Sequence, residues 1–236
     1  MILYLFVLIV VLMGLYWLFM SSWSQFFGYF PYRIRTNEKV IALTFDDGPN
    51  EPHTTNIAKY LHDQGVPATF FQVADCIERF PGVSKKVLNL GHVVGNHSTH
   101  HQFRRHLIDP SFDYEIDNAQ ATITKATGLT QALFRPPWLW RTPFLFKNLK
   151  SKGLIPVSGE FCHSLEIFQP SAERIARAVL RKARPGVIII FHDGVEGRTG
   201  DRNNTYESLK IIVPSLKKQG YKFLTIDKLL GVKPYK

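Results

Sequence analysis

From Val40 onward, apolar runs of strand length alternate with amphipathic stretches of helical length, and this alternation is what most limits the possible folds. Runs such as 187–190 (VIII) have no polar interruption, which is typical of parallel strands covered on both faces. Five of the helical stretches end at or just before a glycine, where a left-handed cap residue is favoured. The seven strands with intervening helices predict a βα barrel or a doubly wound parallel sheet.

The predicted strands cover residues 40–44, 68–73, 92–95, 133–135, 155–158, 187–191 and 222–225. The predicted helices between them cover residues 54–64, 83–90, 112–126, 144–152, 172–182 and 206–219. No glycine-rich phosphate-binding motif follows the first strand, so the sequence gives no support to a nucleotide-binding fold.

The first 20 residues, MILYLFVLIVVLMGLYWLFM, carry no charged side chain. About 20 apolar residues span the hydrocarbon core of a bilayer as a helix, and Tyr16, Trp17 and Trp23 suit the lipid–water boundary. A cleaved signal peptide is the alternative, but the stretch lacks a basic start and a clear small-x-small cleavage site. The predicted organisation is a transmembrane signal anchor over 1–20, a linker over 21–38 and one folded domain over 39–236.

The chain is basic, with 29 Lys and Arg residues against 19 Asp and Glu residues and a net charge of +10. Such a charge suits anionic lipid, anionic glycan or nucleic acid. The basic residues are scattered over predicted helices, as in Lys85–Lys86, Arg181–Lys182 and Lys217–Lys218. Since no nucleic-acid-reading motif accompanies them, nucleic acid is not an expected partner.

Polar clusters follow the predicted strands at the positions where catalytic groups stand in βα barrels. Asp46 and Asp47 follow the first strand in TFDDGP, and His97 and His101 follow the third in HSTHH. If the second cluster turns helically, the two imidazoles share a face and can bind one cation, with Asp46 or Asp47 as third ligand and His100 as a competitor. Two histidines and one carboxylate form a hydrolytic metal site. An Asp-rich turn and a polar loop with incidental histidines are the alternatives.

Two further strand ends carry candidate functional groups. The Pro136–Pro137 pair forces an extended path that places Arg135 and Trp138 rigidly, so that Arg135 can orient a carboxylate and Trp138 can form the wall of a sugar site. His192 follows the sixth strand and suits a general acid. The alternatives are a structural salt bridge, a packed aromatic ring and an ordinary loop histidine.

In this order, TFDDGP, HSxxH, RPPW and an apolar strand ending in His-Asp resemble the polysaccharide deacetylase family, the NodB-homology domain of carbohydrate esterase family four. The resemblance covers roughly residues 40–230, and TFDDGP with a downstream HSxxH is a specific pairing. It implies a distorted (β/α) barrel of about seven parallel strands, here preceded by one N-terminal transmembrane helix. It also implies a metal-dependent hydrolase that removes N-acetyl, sometimes O-acetyl, groups from chitin, chitooligosaccharides, peptidoglycan, exopolysaccharide or xylan.

The resemblance also implies a role for each site residue. The implied roles are Asp46 as base, His192 as acid and Arg135 as the group that orients Asp46; Asp47, His97 and His101 as metal ligands; and Pro137 and Trp138 as substrate contacts. The expected cofactor is a divalent metal ion, Zn²⁺ in the first place and Co²⁺ or another transition metal as the alternative.

The fourth motif departs from the family pattern, DxxDW, whose first Asp tunes the acid histidine. The comparable stretch is residues 159–167, GEFCHSLEI, in which His163 replaces the first Asp, Glu166 replaces the second, and no Trp follows. Glu160, His163 and Glu166 are therefore the candidate residues for tuning His192. The departure leaves the metal ligands intact and concerns the acid and the substrate groove.

The leading hypothesis is a metal-dependent N-deacetylase of an amino-sugar polysaccharide or oligosaccharide, membrane-anchored by a single pass, with its catalytic domain outside the cytoplasm. Its expected partners are an acetylated glycan and, through the N-terminal helix, the membrane; no obligate protein partner is expected. One alternative is a hydrolase of a small non-sugar amide or an O-acetyl ester, motivated by the altered fourth motif. Another is a catalytically silent glycan-binding membrane protein, which predicts losses among the metal ligands or the base, and none is seen.

Overall fold

In the computed structural model, which describes residues 1–236 but gives Ile2 only through its place in the first helix, eight strands form one curled parallel sheet. The strands are β1 (Val40–Asp46), β2 (Thr69–Gln72), β3 (Val93–Asn96), β4 (Leu133–Phe134), β5 (Ile155–Pro156), β6 (Glu160–Phe161), β7 (Val187–His192) and β8 (Lys222–Phe223). Their order across the sheet is β5-β4-β3-β2-β1-β7-β6, with β8 paired to β1.

The strand β1 is central to the sheet and buried along its whole length. It pairs with β7 from Ile41 to Asp46, with β8 near its start and with β2 near its end. Continuous burial requires the largely apolar run that the sequence shows. The polar residue within it, Thr44, is buried and donates to the Ile189 carbonyl at 2.8 Å. In the β1–β7 register Asp46 lies opposite His192, so two candidate catalytic residues are neighbours at the same edge.

The sheet is a curled half-barrel, because β5 and β6 end its path and, among the described strands, do not pair with each other. The predicted α/β class with about seven parallel strands is confirmed, and all seven predicted strands are present. The sequence analysis missed β6, which has only two residues, 160–161, and lacks an apolar run.

Helices flank the sheet and connect its strands: α1 (Ile2–Phe19), α2 (His53–Asp63), α3 (Ala74–Arg79), α4 (Val83–Asn89), α5 (Phe103–Ile108), α6 (Asp113–Thr127), α7 (Pro143–Ser151), α8 (Ala172–Lys182), α9 (Asn203–Lys218) and α10 (Ile226–Leu230). The six predicted helices are present, with ends shifted by at most three residues. The missed helices after α1 are α3, α5 and α10. Each has five or six residues, too few to show a helical apolar period.

The main apolar cluster lies between the sheet and the helices α2, α8 and α9. At its centre the Phe45 ring stacks on Phe70 and Phe191, with centroids 4.9 and 5.4 Å away. Full burial of one such side chain stabilises the fold by about 2–3 kcal/mol. These rings lie one residue before the ends of β1 and β7, so they fix the strand ends that carry Asp46 and His192.

The helix α1 corresponds to the segment predicted to span a membrane. Its large side chains from Leu3 to Trp17 are between 46% and 81% exposed. Its 18 residues extend about 27 Å at 1.5 Å per residue, against about 30 Å for a hydrocarbon core. Within the described residues, no helix combines the length and apolarity that a membrane crossing needs, so the predicted transmembrane span over residues 1–20 is not supported.

Residues 21–38, assigned to a linker by the sequence analysis, pack along the domain. The Phe30 side chain is fully buried and meets the Phe146 ring edge-on at 5.7 Å. The Ser158 backbone N–H donates to the Pro31 carbonyl at 2.9 Å, and Arg33 forms an antiparallel bridge with Val187. This packing brings the end of α1 to the edge of the sheet where the strands end.

Candidate active site

The strand ends open into a cavity of about 310 Å³. Because parallel strands carry their carboxyl ends to one edge, residues far apart in the sequence meet there. Eight residues predicted from the sequence line the cavity: Asp46, Asp47, His97, His101, Trp138, His163, Glu166 and His192. Of the other predicted residues, Arg135 and Pro137 are buried and Glu160 borders a neighbouring cavity.

The Asp46 carboxylate is held by the fully buried Arg135. Arg135 Nη1 donates to Asp46 Oδ1 and to Thr44 Oγ1, both at 2.7 Å. Its Nε and Nη2 donate to the carbonyls of Val157 and Ser158 at 3.2 and 3.0 Å. Burial lowers the pKa of Arg135, but the Asp46 charge opposes this. With four hydrogen bonds made by the guanidinium, Asp46 has a fixed position and a fixed positive neighbour.

Asp47 points into the same cavity as Asp46, although consecutive side chains of a strand point to opposite faces. The strand β1 ends at Asp46, and Asp47 adopts a left-handed φ of 76°. This conformation is uncommon outside glycine and is tolerated by Asp. The turn therefore brings two adjacent carboxylates to one cavity, an arrangement that a regular strand forbids.

Asp47 faces the two histidines that the sequence pairs with it. Its Oδ1 lies 3.1 Å from His101 Nε2 and 3.3 Å from His97 Nε2. Burial would raise the pKa of Asp47, but His101 and His97 outweigh burial and hold that pKa well below its ordinary value. The donor atoms of the three residues lie within 4.8 Å of one another.

These residues fit a metal ion. Asp47 Oδ1 is buried and has no hydrogen-bond partner among the described residues. His97 Nδ1 donates to the Arg135 carbonyl at 2.7 Å, which leaves its Nε2 lone pair directed at the Asp47–His101 group. Two imidazole nitrogens and a carboxylate are a common ligand set of catalytic zinc sites.

A loop carries the two histidines, so the helical turn that would set both imidazoles on one face is not present here. Ser98 and His101 have left-handed φ values of 77° and 51°, which a right-handed helix excludes. The Ser98 N–H donates to Asn96 Oδ1 at 2.9 Å and fixes the start of the loop. The ring centroids of His97 and His101 are nevertheless 5.1 Å apart.

Glu115, on α6, holds this loop from behind. It is buried, and its carboxylate accepts from the backbone N–H groups of Thr99 and His100 at 3.2 and 2.9 Å. The His100 ring binds the same carboxylate, with Nδ1 2.7 Å from Glu115 Oε1. His100, the competing ligand by spacing, is therefore directed to Glu115 and not to the Asp47 group.

His192 is held by Glu166, which follows β6 in a short 3₁₀ helix (Glu166–Phe168). Nδ1 of His192 lies 2.6 Å from Glu166 Oε2. The buried carboxylate also accepts from the Thr205 hydroxyl and lies 4.0 Å from Arg202 Nη1. Burial would lower the pKa of His192, but Glu166 outweighs burial and raises it to about 9. The imidazole is therefore protonated at neutral pH, as an acid requires.

The two other candidate tuning residues are engaged elsewhere. Glu160 pairs with Arg184, whose Nη1 donates to Oε2 at 3.1 Å. His163 lines the cavity, and its Nδ1 accepts from the Leu165 N–H at 3.0 Å. The motif alignment placed His163 at the position of the first Asp of the fourth motif. In the structure Glu166, not His163, makes the contact with His192.

Of the two predicted substrate contacts, one lies at the cavity. The Trp138 ring packs against the His101 ring, with centroids 4.4 Å apart, and lines the cavity. Pro137 is buried in the 3₁₀ helix Pro137–Leu139, and its neighbour Pro136 lines the cavity instead.

Gly48 is required by the close approach of Asp193. A Cβ atom on Gly48 would lie 2.2 Å from Asp193 Oδ2. Asp193 is buried behind the site, where it accepts from the Thr54 hydroxyl at 2.5 Å. Burial raises the pKa of Asp193 to about 7, although the Thr54 hydrogen bond opposes the shift.

Sequence reasoning missed several supporting residues. For Glu115 a signal exists: it shares one face of α6 with the buried Ala119 and Ile123, so a carboxylate stands in an apolar stripe. For Thr205 and Arg202 the sequence contains no such signal, because the predicted helix begins at residue 206 and leaves both residues in a loop.

The strand ends of this parallel half-barrel carry an Asp-His-His cluster, a second carboxylate and a protonated histidine. This combination is typical of metal-dependent hydrolases. Residues 33–155 match the sequence model described as polysaccharide deacetylase. The chain is also 34% identical over 207 residues to a peptidoglycan-N-acetylglucosamine deacetylase of Bacillus cereus, covering 87% of this chain and 95% of the relative. The chain therefore belongs to the polysaccharide deacetylase family, as its motifs predict.

Two further relatives differ in the substrate that their names give. A chitooligosaccharide deacetylase of Azorhizobium caulinodans is 32% identical over 199 residues, covering 80% of this chain and 93% of the relative. A family 4 acetyl xylan esterase of Clostridium thermocellum, solved in complex with a cobalt ion, has a TM-score of 0.73 and 34% identity. That comparison covers 84% of this chain and 94% of the esterase.

Proposed function

We propose that this protein hydrolyses N-acetyl groups of an amino-sugar glycan, releasing acetate and a free amine. The observation that carries the proposal is the register of β1 and β7, which sets Asp46 beside His192 at the cavity that Asp47, His97 and His101 line. A base and an acid side by side at one cavity suit amide hydrolysis. The relatives that deacetylate peptidoglycan or chitooligosaccharides support this substrate class.

Asp47, His97 and His101 would hold the divalent metal ion, for which we propose Zn²⁺ because of its two imidazole donors and one carboxylate. When bound, such an ion polarises the acetyl carbonyl and lowers the pKa of a water molecule. The second carboxylate oxygen of Asp47 accepts from the Glu196 N–H at 2.7 Å, which fixes the carboxylate orientation.

Asp46 acts as the base in this proposal. It takes a proton from the attacking water, whose oxygen forms a bond to the acetyl carbon. Arg135 positions the carboxylate through Nη1, 2.7 Å from Oδ1, and leaves Oδ2 for the water. Removal of one such positioned base from an enzyme lowers the rate by about 10²–10⁴-fold.

His192 acts as the acid. When the carbon–nitrogen bond breaks, the leaving amine takes a proton, and His192 can supply it from Nε2 because Nδ1 is bound to Glu166. Glu166 therefore has the part that the family pattern gives to the first Asp of DxxDW. Its own pKa, which burial would raise, is lowered by His192, so it stays a carboxylate.

The test is acetate release by the full chain from acetylated chitooligosaccharides and peptidoglycan, with Asp46→Asn as the matched control. We expect release that a chelator abolishes and that added Zn²⁺ restores, and none from the variant. Restoration by Co²⁺ alone would overturn the choice of zinc. Absence of chelator-sensitive release from every glycan would overturn the proposed function.

An O-acetyl ester is the second candidate substrate, favoured by the likeness to an acetyl xylan esterase. The same base and metal ligands would serve, since an ester carbonyl needs the same attack, but an alkoxide leaving group depends less on His192. Acetylated xylan in the substrate panel separates the two. Release from xylan alone would favour the ester.

We also propose that the domain works outside the cytoplasm, where peptidoglycan, the glycan in the name of the Bacillus cereus relative, lies. We propose further that α1 is in contact with lipid. Large exposed apolar surfaces mark protein or membrane contacts, and Leu5, Leu8 and Leu12 are 58%, 52% and 54% exposed. In flotation with vesicles, the full chain should rise with the lipid, and a variant with these three residues changed to Gln should not. A full chain that stays in the bottom fraction would contradict the lipid contact.

A further inference from the structure

A second cavity, of about 220 Å³, adjoins the active-site cavity at the end of α1. Three residues line both: Tyr16, Phe161 and Ser164. The remaining lining is Ser21, Ser22, Trp23, Glu160 and Lys182. The two cavities therefore lie side by side, and the last turn of α1 forms part of the wall of both.

The end of α1 is fixed to the domain through a buried arginine. Arg141 is fully buried, and its side chain donates to the carbonyls of Leu18, Trp17 and Ser21, the first two at 3.2 and 3.3 Å. Its backbone N–H donates to the Phe19 carbonyl at 3.0 Å. These bonds satisfy the free carbonyls at a helix end. The hydrogen bonds of Arg141 therefore fix the position of α1 relative to the cavity.

Aromatic and backbone contacts fix the same segment from its other sides. The Phe19 ring stacks on Trp140, with centroids 5.1 Å apart. The Ser158 hydroxyl donates to the Ser22 carbonyl at 2.9 Å. Trp23 and Tyr16 nevertheless remain 61% and 57% exposed. Large rings held on a fixed backbone and open to solvent are suited to contact a ligand.

We propose that the second cavity binds the sugar unit next to the one that is deacetylated, with Tyr16 as the platform between the two subsites. The inference rests on the proposed function, because it takes the active-site cavity as the place of the reacting sugar. A glycan that fills that cavity must continue past its wall, and the second cavity continues directly from it through Tyr16, Phe161 and Ser164.

The lining of the second cavity matches the chemistry of a sugar ring. The rings of Tyr16, Trp23 and Phe161 suit the apolar faces of a pyranose, and the Ser164 hydroxyl and Lys182 ammonium suit its oxygen atoms. Lys182 is already positioned, since its Nζ donates to the Phe161 carbonyl at 2.6 Å. Preorganised polar groups among apolar walls are typical of ligand sites.

The test is the dependence of kcat/KM on substrate length in the full chain. Acetate release is measured on the monosaccharide N-acetylglucosamine, which has no neighbouring unit, and on the N-acetylated hexasaccharide of glucosamine, and the ratio of the two kcat/KM values is compared among variants. Tyr16→Ala should lower the hexasaccharide-to-monosaccharide ratio about fivefold, which corresponds to about 1 kcal/mol of binding. Tyr16→Phe should keep the ratio, because it keeps the ring. Trp23→Ala, a second route to the same subsite, should also lower the ratio.

The matched control is Tyr4→Ala, since Tyr4 is an 81% exposed tyrosine at the opposite end of the same helix. It should leave the wild-type ratio unchanged. A wild-type ratio in both Tyr16→Ala and Trp23→Ala would overturn the subsite, and so would a change in vesicle binding with no change in the ratio. A wild-type chain without activity on either sugar would instead overturn the proposed function, so the two failures are distinguishable.

Discussion

The two sides of the active-site cavity hold a charged pair in opposite ways. On the base side, the buried cation Arg135 fixes the carboxylate of Asp46 at 2.7 Å. On the acid side, the buried carboxylate Glu166 fixes the imidazole of His192 at 2.6 Å. In each pair the buried partner fixes the position of the group that lines the cavity. The difference is that both members of the base pair stand at strand ends, whereas Glu166 stands in a short 3₁₀ helix outside the sheet.

This difference predicts which pair tolerates change. Arg135 follows β4 directly, and its partners are groups on or beside strands, so the base side has little freedom to move. Glu166 depends on Thr205 and Arg202, which come from the start of α9. The acid side therefore rests on contacts between a short 3₁₀ helix and the start of α9, outside the sheet, and its partner can differ from the family pattern.

The largest effect is expected for Asp46→Asn, which removes the proposed base and leaves the shape of its side chain. The rate of acetate release should fall about 10³-fold, within the range for loss of a positioned base. Metal content, measured by elemental analysis, should stay that of the wild type, because Asp46 is not a proposed ligand. A fall of less than tenfold would mean that another group takes the proton.

Next in size is Arg135→Lys, which keeps the charge but loses the planar set of donors. We expect a rate loss of about 10²-fold, and a loss of unfolding free energy of about 3 kcal/mol because buried partners are left unpaired. Urea unfolding measures the second quantity. Arg198→Lys is the control, since Arg198 is 71% exposed. An Arg135→Lys chain with the unfolding free energy of the wild type would contradict the conclusion that the base side has little freedom to move.

Glu166→Gln tests the acid side. The acid must be protonated, so the rate of the wild type should fall as pH rises through about 9, the pKa of His192. Removal of the Glu166 charge lowers that pKa, so the alkaline limb should move to lower pH by about one unit, as an opposite charge at this distance implies. A pKa one unit lower still leaves the imidazole largely protonated at neutral pH, so the loss of rate expected there, about tenfold, comes from weaker positioning of the imidazole.

The matched control for this profile is His163→Ala, since His163 lies on the same loop and lines the same cavity. Its alkaline limb should stay at the wild-type pH. If the alkaline limb moves in His163→Ala and not in Glu166→Gln, the residue that tunes His192 is His163, as the motif alignment indicates.

The smallest effect on rate is expected for Glu115→Gln, which loosens the loop behind His97 and His101. Loss of such an outer support typically weakens metal binding about tenfold or more, which competition with a chromogenic chelator measures. At saturating metal the rate should change by less than about threefold. Glu207→Gln is the control, since the Glu207 carboxylate pairs with Lys210 at the surface. Unchanged metal affinity would show that the loop needs no such support.

The sequence predicted the strands because each of the predicted ones contains or borders a short apolar run, and it predicted their polar ends because catalytic groups of this fold follow them. Asp46, Asp47, His97, Arg135 and His192 all stand within one residue of a strand end. The strand β6 escaped prediction because Glu160 and Phe161 form no apolar run, and the helix α5 escaped because six residues show no helical period.

What the sequence could not give is backbone direction in the loops. The left-handed φ of Asp47, which aims the second carboxylate at the histidines, and that of His101 are fixed by tertiary contacts. The partner of His192 is likewise chosen by the path of the loop around Glu166, which α9 sets from 36 or more residues away. Spacing within the motif therefore could not separate His163 from Glu166.

The docked N-terminal segment has a practical consequence for work with shortened forms. A chain that begins at residue 32 would keep every proposed catalytic and metal-binding residue. It would lose the Phe30 side chain from its buried position and leave the buried Arg141 guanidinium without its acceptors in residues 17–21. Such a form should unfold more readily and lack one wall of the cleft, so low activity in it would reflect the truncation and not the chemistry of the enzyme.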